Sequence, residues 1–405
     1  MNYLINYLKQ FINVGVGKLL SVISNFLLLF VITNTFSNSQ CGLIFLTLST
    51  LNFLISLSRL GQDQLVVKQN SNIKGNNSLD ISFSIVLLFS ILCTIVSILL
   101  LKFNLILHHI DSFAWVLFSV IPLSCTWILI GYFRSNNFQF LANISENGFF
   151  QFLFTLSIFF IPNTEHSFYL SYLFFGFLSF VILLLLSIKI GLNLNFSIKD
   201  SLSSFRSGFK IMSSSILSFL ILNIPIYIAG SLNNIDDITL YNVCLKVSLI
   251  INIGLAIFNS LYSPKYALSF LEKDYISLRK LYFKARLELV VLSLLPLFII
   301  LIFPHFILDI FNLKSSDNVL VLRCFVVCQF FCVCTGTTGV FLNIVDKESS
   351  LMRNAFIGLL TSLLFSLFLI CFTNIYYMFV MFAVGVLLEN FLSYYSVKRF
   401  FVGKI

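Results

Sequence analysis

The sequence predicts an all-α integral membrane protein of about twelve transmembrane helices, divided into two sets of six. Three observations carry this. Hydrophobic residues make up 59% of the 405 and charged ones only 10%. A water-facing surface requires about 25% charge, so a soluble enzyme is excluded. The apolar residues gather into runs of about twenty, the length that crosses a hydrocarbon core ~30 Å thick as a helix. Lys and Arg, finally, concentrate on alternate connections between those runs.

In chain order the runs fall at 11–33, 42–60, 80–101, 113–131, 145–161, 168–190, 209–230, 237–262, 286–304, 319–341, 353–373 and 376–397. Barrel strands would be only about ten residues long and alternating. The first run exceeds a signal-peptide core and leads into Thr33–Asn34–Thr35–Phe36 without a small-residue cleavage pattern, so a retained span is expected. With the N-terminus inside, 21 of the 25 Lys and Arg residues lie on inner connections or inner helix ends. Lys102 and Lys314 lie outside, and Lys246 and Arg323 lie within spans. Both termini are therefore expected in the cytoplasm. The longest polar connections, 191–208 and 263–285, are both inner ones. The first, rich in Ser and Asn, marks the boundary between an N-terminal lobe, 1–200, and a C-terminal lobe, 201–405.

Enzymatic signatures are missing. There is no phosphate-binding loop, and the four histidines (His108, His109, His166, His305) have no metal-like spacing. Cys324, Cys328, Cys332 and Cys334 recur at helical intervals and read as packing residues. Asp236–Asp237 reads as the start of the eighth helix. No metal, no cofactor and no catalysis are expected. The net charge of +9 is scattered singly rather than gathered into a phosphate footprint, so nucleic acid is not an expected partner.

What stands out is charge inside the spans. Lys246 lies about nine residues into its run, ~13 Å deep at the helical rise. A lysine at the centre of a membrane helix costs ~2.5–3.5 kcal/mol, so a partner or a wet cavity must offset it. Lys18, Arg59 and Arg323 lie nearer to helix ends, where their side chains can also snorkel. These four are the candidate contacts for an anionic substrate. Asp80, Glu146 and Glu288 are expected at helix starts, which leaves Glu389 as the carboxylate well inside a span and the candidate coupling residue. Pro122, Pro225 and Pro296, with Gly15, Gly17, Gly336 and Gly339, fit helices that bend, as transporter helices do.

Segment 207–285 resembles the second half of Wzx-type polysaccharide flippases, within the multidrug/oligosaccharidyl-lipid/polysaccharide (MOP) exporter superfamily. The resemblance is carried by Ile228–Ala229–Gly230, Leu240–Tyr241, Leu245–Lys246, Ser263–Pro264–Lys265, Asp274–Tyr275 and Arg279–Lys280. In the first half, Gly42–Leu43–Ile44 and Ser58–Arg59–Leu60–Gly61–Gln62–Asp63 with Lys68 are similar, as are Leu342–Asn343, Lys347 and Asn354 later. The resemblance implies two six-helix lobes around a central cavity, open to one side at a time. It implies an inner-membrane O-antigen flippase for an undecaprenyl-diphosphate-linked oligosaccharide, functioning in lipopolysaccharide biosynthesis. Partners would be that lipid-linked substrate, membrane lipid, a polysaccharide polymerase and a chain-length regulator. Family members commonly carry an Asp five residues before the glycine that ends helix seven; here Pro225 stands there. A multidrug antiporter is the rival within the superfamily, and a polysaccharide polymerase the rival outside it. The polymerase would need a large external loop, and no such loop is expected.

Overall fold

The computed structural model describes residues 2–70, 77–102, 108–136, 138–146, 148–158, 160, 164–192, 201–232, 234–369 and 375–404, which hold helices and turns and no strand. The first half contains α1 (Asn2–Thr35), α2 (Asn38–Arg59), α3 (Gln62–Asn70), α4 (Asn77–Lys102), α5 (Val120–Ser135), α6 (Gln139–Ser145), α7 (Gly148–Ile158) and α8 (Glu165–Lys189). The second contains α9 (Ser201–Ser231), α10 (Ile235–Ser248), α11 (Ile253–Leu271), α12 (Tyr275–Ile302), α13 (Pro304–Ile310), α14 (Ser316–Val333), α15 (Thr338–Ile344), α16 (Glu348–Leu369) and α17 (Ile375–Val402). Two compact units form. One is Val16–Ile216; the other is Leu217–Ile405 together with Met1–Gly15. The division between these units falls within α9.

Eleven helical stretches among the described residues are long and apolar enough to cross a membrane. The twelfth expected span, 145–161, falls partly outside the described residues; within them it holds Glu146 at the end of α6 and then α7. Helices also overrun their apolar runs. α11 continues to Leu271 and α12 begins at Tyr275, so the supposed connection 263–285 is mostly helix. Its tight turn is closed by Asp274, whose carboxylate accepts the Ser277 N–H at 2.9 Å, an N-cap. Consequently Glu288 lies mid-helix in α12 rather than at a helix start. Pro122, in turn, sits in the first turn of α5 behind the 3-10 segment His108–Ser119, where a missing N–H costs little.

In the first unit, a core of Val66, Phe83, Val86, Ile128, Leu129 and Phe133 joins α3, α4 and α5. Gly61, at φ 67°, turns the chain from α2 into α3. A Cβ there would stand 2.6 Å from the Gly208 carbonyl oxygen, so the turn presses against the start of α9. Gln62 holds that contact, donating to the Ser204 carbonyl at 3.1 Å and accepting from Ser82 at 3.0 Å.

In the second unit, α14 and α15 are parted at Gly336, φ 85°. Two carbonyls at the break find side-chain donors. Arg286 Nε donates to Cys334 O at 2.6 Å and the Tyr282 hydroxyl to Thr335 O at 2.7 Å. A second break, the 3-10 segment Leu249–Asn252, separates α10 from α11, and there Asn252 donates to the buried Gln329 of α14 at 3.1 Å.

Candidate functional site

The first unit gathers charge around one carboxylate. Lys18 Nζ lies 2.8 Å and Arg134 Nη2 2.9 Å from the same oxygen, Oε2 of Glu146. All three side chains are 18–28% exposed. Glu146 occupies the gap before α7, where the positive end of that helix favours a carboxylate. α1 comes close to α6 because residue 17 is glycine: a Cβ there would stand 3.1 Å from the Asn143 Cβ. This approach brings Lys18 onto Glu146.

Helix α5 supplies the rest of the cluster. Trp127, Gly131 and Arg134 recur at i, i+4 and i+7 and so share a face. Gly131 lets the chain at the start of α3 approach, since a Cβ would meet the Asp63 carbonyl oxygen at 2.7 Å. Arg59 then stacks on Trp127, its guanidinium carbon 4.1 Å from the ring centroid, a cation–π contact. It also pairs with Asp63 at 3.5 Å and donates to Ser56 at 3.1 Å. Arg59 lies within electrostatic range of both Arg134 and Glu146. Three cations thus face two carboxylates, an excess of one positive charge.

Of the sequence-nominated residues, Lys18 and Arg59 are brought into this one neighbourhood. The other three belong to the second unit. Lys246 lies in the last turn of α10, where the helix dipole favours a cation. Its side chain is exposed between buried neighbours, Leu245 and Val247. The acids of the same helix, Asp236 and Asp237, lie in its first turn. Asp237 accepts from Asn234 at 2.6 Å, and Lys246 has no ion pair among the described residues. Arg323 is exposed on α14. Glu389 of α17 is half-buried beside Gly358 and accepts a short hydrogen bond from the Ser218 hydroxyl of α9. No hydrogen bond or ion pair joins Lys246, Arg323 and Glu389 among the described residues.

Arg134, Glu146, Asn143 and Trp127 were not nominated from sequence. Arg134 was assigned to an inner helix end and Glu146 to a helix start. A half-buried Lys18 needed a carboxylate, and that need was the available signal. A separate cavity of about 640 Å³ lies between α5 and α8, lined by Phe118, Pro122, Leu170 and Phe174 among others. Its mouth is at the other end of α5, about 18 Å from Arg134 at the helical rise. So apolar a lining suits hydrocarbon, not phosphate.

No protein-family model matches this sequence, and no curated protein sequence does. Solved structures match over nearly the whole chain. A MOP superfamily transporter from Pyrococcus furiosus, described as having a binding pocket of reversed polarity that suggests a different function, aligns with a TM-score of 0.75. The alignment has 12% identity and covers 98% of this chain and 96% of that one. An outward-facing multidrug resistance MATE family transporter of the same superfamily aligns at 0.74, with 12% identity over 98% and 96%. An inward-facing one aligns at 0.69, with 12% identity over 95% of each chain. This chain has the fold of the MOP superfamily transporters.

Proposed function

We propose that this chain is a flippase that moves an undecaprenyl-diphosphate-linked oligosaccharide, an O-antigen repeat unit, from the cytoplasmic to the periplasmic leaflet of a bacterial inner membrane. The observation that carries the reading is the excess of positive charge around Lys18, Arg59 and Arg134 within a membrane-spanning unit. Charge of that sign is costly in hydrocarbon and is suited to an anion in transit. The physical task is to keep a diphosphate and its sugars out of hydrocarbon while the polyprenyl tail stays in it. Lys18 and Arg59 in the first unit and Lys246 and Arg323 in the second are the contacts for the anion, and Glu389 couples the cycle. Transport proceeds by alternating access. The basic residues orient the protein with both termini in the cytoplasm.

A second reading has a specific support. Multidrug transporters share this fold, and Glu389 is a half-buried carboxylate such as a cationic drug or coupling ion would use. Deletion of the gene separates the two. Accumulation of one lipid-linked oligosaccharide on the cytoplasmic leaflet supports the flippase. Normal surface polysaccharide with increased sensitivity to cationic drugs supports the antiporter. Topology reporters at 70, 198 and 275 should read cytoplasmic, and those at 37, 165 and 234 periplasmic.

A further inference from the structure

The Glu146 cluster holds two donors without partners. Asn143 is 6% exposed, and its Nδ2 is buried with no hydrogen-bond partner among the described residues. It stands three residues before Glu146 on α6 and against Gly17, beside Lys18. Arg59 Nε is likewise buried and unpartnered. Unsatisfied buried donors are rare and need an acceptor. Here the acceptor would sit where Lys18 and Arg134 already converge on a single oxygen. A neutral water could satisfy the two donors, but not the surplus charge.

We propose that Glu146 is the displaceable counter-ion of an anion site, and that a diphosphate takes Lys18 and Arg134 over from it while bonding to Asn143 and Arg59. The charges favour such an exchange. With Glu146 engaged, the cluster of Lys18, Arg59 and Arg134 against Asp63 and Glu146 carries one net positive charge. With Glu146 withdrawn it carries two, matching a diphosphate esterified at both ends. Glu146 caps the C-terminal end of α6, its N–H donating to the Ala142 carbonyl at 3.0 Å, so the exchange needs only its side chain to swing and leaves that backbone bond in place. The carboxylate would thus keep two like charges together when the site is empty and set the affinity low enough for release. That the diphosphate is borne by a lipid rests on the flippase reading above; the anion site itself does not.

The test uses the full chain in lipid nanodiscs, titrated calorimetrically with inorganic pyrophosphate. Glu146→Gln should bind pyrophosphate about tenfold more tightly, and Arg134→Gln at least about tenfold more weakly, as one charge-assisted hydrogen bond implies. Asn143→Ala should weaken binding about fivefold, a single neutral donor's share, without lowering the melting temperature. Equal or weaker affinity in a Glu146→Gln protein that melts like the parent overturns the counter-ion role. Should Glu146→Gln not fold, Asn143→Ala decides: unchanged affinity overturns the site. Farnesyl diphosphate binding more tightly than pyrophosphate assigns a lipid headgroup, and equal affinities assign a free phosphate. Failure of lipid-linked oligosaccharide transport, with pyrophosphate binding as stated, rejects the flippase and leaves the site standing.

Discussion

The two units handle charge in opposite ways. In Val16–Ile216 the cations Lys18, Arg59 and Arg134 are held by Glu146, Asp63 and the Trp127 ring. In Leu217–Ile405 the corresponding residues stand apart: Lys246 lacks an ion pair among the described residues, and Glu389 leans on a serine. A paired charge contributes to structure as well as chemistry, because removing one partner strands the other. An unpaired charge contributes little to stability and is available to a ligand. Substitutions that break the charge pairs of the first unit should therefore act on stability and activity together, and those at the charges of the second on activity alone.

The largest expected effect is in the first unit. Glu146→Leu leaves Lys18 and Arg134 facing each other and should cost about 3–5 kcal/mol, the loss typical of breaking a buried pair from one side. Thermal unfolding in detergent would show it, and an unchanged melting temperature would dissolve the contrast between the units. Next comes Lys246→Ala, expected to reduce surface polysaccharide about tenfold at normal protein abundance, as loss of one charge-assisted contact implies. Lys246→Arg should retain partial activity, since a point charge is what the site uses. A drop in abundance with Lys246→Ala would instead make it a structural residue like those of the first unit. Glu389→Gln keeps an acceptor for Ser218 and should shift stability by less than about 1 kcal/mol while changing the response of transport to proton or Na⁺ gradients. Identical transport across both gradients would remove Glu389 from coupling. The smallest effect belongs to Arg323→Gln. Exposed on α14, it should change stability by no more than about 0.5 kcal/mol. Normal transport in the Arg323→Gln protein would take Arg323 out of the substrate path.

Depth along a helix was legible in the sequence, and direction around it was not. Every apolar run contains helix, because length and composition alone dictate a span. Glu146 was legible as a helix start, since it stands just ahead of α7, but its two cationic partners were not. Lys18 and Glu146 are 128 residues apart, so nothing local announced their pairing. The same limit applies to Lys246 and Arg323, which are alike in sequence as single cations within apolar runs. Both side chains are exposed, and the difference lies in place: Lys246 in the last turn of α10 beside a helix break, Arg323 within the continuous α14. Helix ends were misjudged where polar turns such as 263–285 continued the helix, since hydropathy marks the hydrocarbon boundary rather than the backbone's own stop signals.

The parting of α14 from α15 has a consequence for insulation. A carrier that moves a large headgroup across an energised membrane must not short-circuit it, and the usual route for a proton leak is a file of water molecules strung between exposed carbonyls. At Gly336 the carbonyls of Cys334 and Thr335 each accept from a side chain, Arg286 and Tyr282, so neither is left bare as a starting point for such a file. Arg286 is itself secured to the Tyr394 hydroxyl at 2.9 Å. The break therefore interrupts the span while its freed carbonyls stay tied to side chains, which gives a file of water fewer places to start.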